Sequence, residues 1–359
     1  MKIKYRAPIF IPCGYAKQAR GVIKNLVKNG VEVQLIPIET YRNRTTKGFD
    51  FSKLINRNVH TKNVVQFCDP SQIVPNLGKY NIITTLFELT GIPPLWVSTI
   101  NNKFQEVWVP NHFNYTAFKN SGVRHNPYIM PYGIDTEIFK PKESNIKVEN
   151  QKGFTFVSNF QWGGRKGYDY LLDAYTQEFT SDDDVCLLLK VYGCHTTRDS
   201  FDSISNEIRN RWQKPNAPKI IIWWKFIMDE DLPDLYNAAN CYVLPSKGEG
   251  WGLPYMEAMA CGLPTIGTNW SGNLTFMNRK NSFLIKVDRI EDANMGGWYK
   301  PPLKWAIISI SHLKWLMRYI YEHPKEARRK GSRARRDIVS SYDWNVVIKP
   351  YLKRIGELN

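Results

Sequence analysis

Hydrophobic positions along the chain follow two periods. Ala16, Ala19, Val22, Ile23, Leu26 and Val27 recur at helical spacing, and Gly30 stands where a C-terminal cap belongs. Short β-rich runs flank that helix, predicting a first strand at 7–11 and a second at 31–36. Further strands are expected in this half at 81–85, Glu106–Val109 and 128–131. Strands and helices in alternation point to an α/β protein with parallel sheets.

The alternation lapses at 139–153, where KPKESNIKVENQKG carries charge without periodicity and reads as a linker. It then restarts, with strands expected at 154–158, 186–192, 219–224, Cys241–Leu244, 264–267 and 283–287, and helices at 168–175 and 232–239. Basic helical segments close the chain. Two α/β domains, 1–145 and 146–338, follow from this pattern, with 339–359 as a terminal helix. Ligands of such sheets bind outside the carboxyl ends of the strands.

Composition narrows the class. With 43% hydrophobic and 23% charged residues the chain is globular, and no run reaches the ~18 apolar residues of a membrane span. Lysine and arginine outnumber acids 49 to 33, a net charge of +16. Nucleic acid, an anionic membrane and phosphorylated small molecules all suit that excess. The six cysteines form no C-x-x-C pair and read as buried thiols of a reducing compartment, so a cytoplasmic protein is expected.

Chemistry enters at EGWGLPYME, residues 249–257, in the loop after strand Cys241–Leu244. Pro254 suits a first helical position, so Glu249 falls in the loop and Glu257 one turn into a helix expected at 254–261. Gly250 and Gly252 allow the backbone close to a ligand. The amides of Gly252, Leu253 and Tyr255 form a helix N-terminus, an anion seat. Two carboxylates flanking it are readers of hydroxyls. The spacing alone fits a glycine-rich turn with solvated acids equally well. A second carboxyl-end loop shifts the balance: NFQWGGRKGYDY carries Arg165 and Lys166, a fork and a point charge suited to a diphosphate.

These stretches together, EGWGLPYME with the following AMACGLPTIGT and the Arg-Lys pair in WGGRKGYDYLLDAY, resemble the retaining family 4 glycosyltransferases. GYAKQARGVIKNLVKNGVEV, IMPYGIDTEIFKP and YDWNVVIKPYLKRI resemble other segments of the same family. The resemblance implies a GT-B fold, with two facing Rossmann-like domains around a cleft and a C-terminal helix crossing back to the first. It also implies that Glu249 contacts the donor sugar and Glu257 the ribose hydroxyls. The backbone of Gly250, Trp251, Gly252 and Leu253 would face phosphate or sugar, and Arg165 and Lys166 would stabilise the departing diphosphate. Lys225, Phe226 and Ile227 would border the base, and Gly14 would approach the phosphates from the first domain.

The implied reaction needs no metal and no cofactor beyond the nucleotide-diphosphate sugar donor. The acceptor class is a hydroxyl of a glycan, a lipid-linked glycan or a protein glycan. Glu88, in LFELTGIPP, is a candidate for sugar or acceptor, with a loop-capping role as its plain alternative. Asp182-Asp183-Asp184 contains a D-x-D but precedes its strand, and reads as a turn. The basic run at 325–336 suits either a solvated helix face or a peripheral contact with the inner face of an anionic membrane. An inactive GT-B binding module and a charge-driven nucleic-acid binder are the rival readings. Nothing in the chain matches a specific nucleic-acid-binding motif.

Overall fold

The structure, a computed structural model, describes residues 1–39, 48–193 and 200–359. It divides into two compact units. The first comprises Met1–Glu137, Met228–Glu230 and Val339–Asn359, and the second Ile138–Ile227 and Asp231–Ile338.

In the first unit, β1 (Lys2–Ala7), α1 (Gly14–Lys28), β2 (Glu32–Pro37), α2 (Ser52–Ile55), β3 (Asn63–Phe67) and β4 (Tyr80–Thr84) are followed by α3 (Pro94–Lys103), β5 (Glu106–Val109), α4 (His112–Asn120) and β6 (Tyr128–Ile129). The strands form one parallel sheet in the order β2-β1-β3-β4-β5-β6. The first strand lies five residues earlier than its apolar run suggests. Ile3, Tyr5 and Ala7 are buried at period two, and Arg6 reaches out to the Gln72 carbonyl at 2.7 Å. Residues 8–13 are instead the carboxyl-end loop leading to α1, which Cys13 caps by accepting the Ala16 N–H.

The second unit contains β7 (Phe154–Gln161), α5 (Tyr168–Glu178), β8 (Val185–Tyr192), α6 (Phe201–Trp212), β9 (Lys219–Trp223), α7 (Leu232–Asn237), β10 (Cys241–Leu244), α8 (Leu253–Ala260), β11 (Thr265–Thr268) and β12 (Phe283–Ile285). Its parallel sheet runs β12-β11-β10-β7-β8-β9, the strand order of a Rossmann fold, with the order reversing between β7 and β10. Strands such as β8 and β10 are buried almost end to end, as helices on both faces require. An antiparallel hairpin, β13 (Val287–Asp292) and β14 (Lys304–Ile308), follows, then α9 (Ile310–Glu322) and α10 (Pro324–Tyr342). The chain ends in α11 (Trp344–Leu358), which packs on α1 within the first unit. The ring of Trp344 there occupies the space a side chain on Gly21 or Gly133 would fill.

Cys68, Cys186, Cys241 and Cys261 are buried thiols and Cys13 is half-buried, while Cys194 lies outside the described residues. Among the described residues, no helix is long and apolar enough to cross a membrane.

Candidate active site

The reversal of strand order between β7 and β10 sets two loops side by side. After β7, a short turn, Gly164–Lys166, carries Arg165 and Lys166, and Gly167 passes the chain into α5 at φ +67°. After β10, Ser246 to Gly252 lead into α8. The two loops are joined through their backbones. The Lys247 N–H donates to the Arg165 carbonyl at 2.7 Å, and the Ser246 hydroxyl bridges the Arg165 and Gly248 carbonyls at 3.3 and 3.0 Å. A side chain on Gly167 would put its first carbon 2.1 Å from the Pro245 carbonyl oxygen, so this approach requires glycine on two counts.

Glu249 stands where the loops meet and is 6% exposed. Its Oε1 accepts from Lys166 Nζ at 2.6 Å and lies 3.4 Å from Arg165 Nη1, which also donates to the Gly248 carbonyl at 2.7 Å. The Glu249 backbone is held as well: its N–H donates to Ser271 Oγ, and its carbonyl accepts the Gly272 N–H, both at 2.9 Å. A Cβ on Gly272 would meet the Gly250 carbonyl oxygen at 2.2 Å. Burial pushes the Glu249 carboxyl up, but the charges of Lys166 and then Arg165 outweigh it and hold it below its ordinary value. The acid is therefore ionised and bonded at neutral pH.

Glu257 is buried on α8, and its Oε2 accepts the hydroxyl of Tyr236 at 2.6 Å. Tyr236, on α7, also meets Asn159 Nδ2 of β7 at 3.3 Å. The helix begins at Leu253, one residue before the position expected from Pro254, with Gly252 at φ +93° as its cap. The Tyr255 N–H donates to the Gly252 carbonyl at 3.1 Å, so the anion seat expected of three amides rests on Gly252 and Leu253. Trp251 turns its ring into the core, 2% exposed and 5.5 Å from Phe276. Its backbone, with that of Gly250, stays in the loop.

The remaining expected residues lie on other elements. Lys225, Phe226 and Ile227 follow β9, the edge strand two places from β7, with Phe226 62% exposed. Gly14 opens α1 in the first unit. Beside it, the Tyr15 hydroxyl meets Thr85 Oγ1 at 3.2 Å, and Glu88 is half-buried near the carboxyl end of β4. Burial, and to a smaller degree the charge of Glu88, holds the Tyr15 hydroxyl protonated. Asp183 pairs with Arg318 at 2.8 Å and Asp184 accepts the Gly153 N–H at 3.0 Å, so this triplet is a structural turn. The sequence reading missed Ser246, Ser271, Gly272 and Tyr236. The signals for them were weak, a serine before the loop and an S-G pair after β11.

Residues 151–294 match the family described as Glycosyl transferases group 1. The mannosylfructose-phosphate synthase of Agrobacterium fabrum is 29% identical over 154 residues, 42% of this chain and 34% of that protein. The chain thus spans about a third of that relative's length. Over the whole chain the fold resembles Anabaena HepE, solved with UDP and glucose (TM-score 0.71, 17% identity, 99% of this chain and 100% of that one). It also resembles the sucrose-phosphate synthase of Thermosynechococcus elongatus (TM-score 0.72, 16% identity, 99% and 98%). Residues 151–294, which span the Arg165–Glu249 cluster, thus match the group 1 glycosyl transferases, and the chain, with its two parallel six-stranded sheets, has the GT-B fold.

Proposed function

We propose that this protein is a retaining glycosyltransferase that moves a sugar from a UDP- or GDP-sugar to a hydroxyl acceptor of a glycan, a lipid-linked glycan or a protein glycan. One observation carries the reading: Arg165, Lys166 and Glu249 converge from two loops at the point where strand order reverses. Two cations and an ionised acid at such a point match a ligand bearing both a diphosphate and hydroxyls. The UDP and glucose named for HepE belong to the same chemical class.

In the reaction, the bond between the sugar's anomeric carbon and the diphosphate oxygen breaks. Negative charge grows on the diphosphate and positive charge on the ring. Arg165 and Lys166, already oriented, stabilise the first, with the amides of Gly252 and Leu253 adding to them. Glu249, within reach of both cations, exchanges part of their attention for a hydroxyl of the donor sugar. Glu257, fixed by Tyr236, takes the ribose hydroxyls. The acceptor hydroxyl attacks from the face the diphosphate leaves, and its proton passes to the departing diphosphate oxygen. No protein base is needed, and the basic pair supplies the charge a metal ion supplies elsewhere. Lys225, Phe226 and Ile227 border the base.

The test is transfer activity with UDP- and GDP-sugars in wild type, Lys166→Ala and Glu257→Gln. Each variant is expected to lose transfer by about 10²-fold or more while keeping its fold. Full activity in either would remove the donor site from this position.

A further inference from the structure

The hairpin β13–β14 has no place in the parallel sheet, yet it touches both loops of the site, that of Arg165 and Lys166 and that of Lys247. Its return strand contributes the Ala306 N–H to the carbonyl of Lys247, the residue whose own N–H holds the Arg165 carbonyl. Its tip doubles back at Gly296 and Gly297, both in left-handed conformations. The Tyr299 N–H donates to the Gly296 carbonyl at 2.9 Å, and Met295 N–H to the Tyr299 carbonyl at 3.0 Å. This tight turn brings Tyr299 over Arg165, with the guanidinium carbon 5.8 Å from the ring centroid. Met295 sulfur would lie 3.6 Å from a Cβ built on Gly164.

Arg165 is held through Nη1, at the Gly248 carbonyl and Glu249. A ring across the face of its planar fork restrains the plane and adds electrostatic attraction. We propose that Tyr299 is a positioning residue that fixes the plane in which Arg165 meets the leaving diphosphate. The proposal rests on the function proposed above, and its test separates the two.

Release of nucleoside diphosphate from UDP-glucose and GDP-mannose is measured for wild type, Tyr299→Ala, Tyr299→Phe, Arg165→Ala and the Tyr299→Ala/Arg165→Ala pair. Tyr299→Ala is expected to lower kcat about tenfold with the donor KM within about twofold. Tyr299→Phe, which keeps the ring, retains wild-type kcat. Tyr299→Ala has no further effect once Arg165 is Ala. Met295, beside it in the turn, is 46% exposed, so the tip is a surface feature and the thermal midpoint of Tyr299→Ala stays close to wild type. Wild-type kcat in Tyr299→Ala overturns the proposal, as does an equal tenfold loss in the Arg165→Ala background. A Phe variant as weak as Ala overturns it too, because the hydroxyl and not the ring would then matter. Wild-type activity in Arg165→Ala alone overturns the donor-site reading, and this proposal with it.

Discussion

Gly167→Ala is the sharpest perturbation of the framework under the site. The residue sits at φ +67°, a conformation that costs a side-chain-bearing residue about 1–3 kcal/mol. The added carbon would also stand 2.1 Å from the Pro245 carbonyl oxygen, where ordinary contact begins near 3.4 Å. The neighbour is backbone of a buried loop, so relief requires the two loops to part by about 1 Å, an overpacking cost of about 1–3 kcal/mol. Together these predict a loss of about 2–6 kcal/mol. Parting the loops also strains the Lys247–Arg165 backbone bond and the Lys166–Glu249 pair, both shorter than 2.8 Å. A 1 Å displacement of catalytic groups costs about 10²-fold in rate. Urea unfolding and donor turnover measure the two effects. Gly163→Ala is the control: its backbone is extended and nothing lies within 4 Å of the added carbon, so it should be nearly neutral. A Gly167→Ala cost below about 1 kcal/mol, or one equal to that of Gly163→Ala, would refute the packing argument.

Three further outcomes follow from particular contacts. Tyr236→Phe removes a 2.6 Å hydrogen bond from the buried Glu257 carboxylate and should cost about 1–3 kcal/mol by urea unfolding, while weakening nucleoside-diphosphate binding more than kcat. Arg354→Ala in α11 breaks a two-pronged pair with Glu106, at 2.9 and 2.8 Å, leaving a carboxylate only 2% exposed; the loss should be about 3 kcal/mol, and Arg354→Lys should restore it only in part. Glu249 has a lowered native pKa, so its stabilising contribution is complete above the unfolded value of about 4.3 and lost as pH falls through the native one. The stability gap between wild type and Glu249→Gln should therefore be flat from pH 5 to 7 and close below pH 4, as read from urea midpoints across that range.

What the sequence made legible were elements whose burial is uniform. Strands Glu106–Val109 and Cys241–Leu244 stand where their apolar runs put them, because both faces are covered. β3 escaped notice because Asn63 and Gln66 interrupt its pattern. The structure satisfies both inside the first unit, Gln66 by exchanging hydrogen bonds with the Val74 backbone and Asn63 by donating to the Leu358 carbonyl. The β13–β14 hairpin was hidden for the opposite reason, since VDRIED is mostly charged and exposed. At the site, the meeting of Arg165 and Lys166 with Glu249 was readable, because each follows a strand and strand ends share one sheet edge. Ser271, Tyr236 and Tyr299 were not. They reach Glu249, Glu257 and Arg165 through hydrogen bonds and a ring contact spanning 21 to 134 positions, for which no local periodicity exists.

The central claim is that Lys166, with Arg165, receives a diphosphate beside Glu249. The most direct measurement is the affinity of UDP and GDP for wild type and Lys166→Ala by titration calorimetry in magnesium-free buffer. Wild type should bind one of them, and Lys166→Ala should bind it at least about tenfold more weakly while unfolding at nearly the same temperature. Equal affinity in the two proteins would contradict the account.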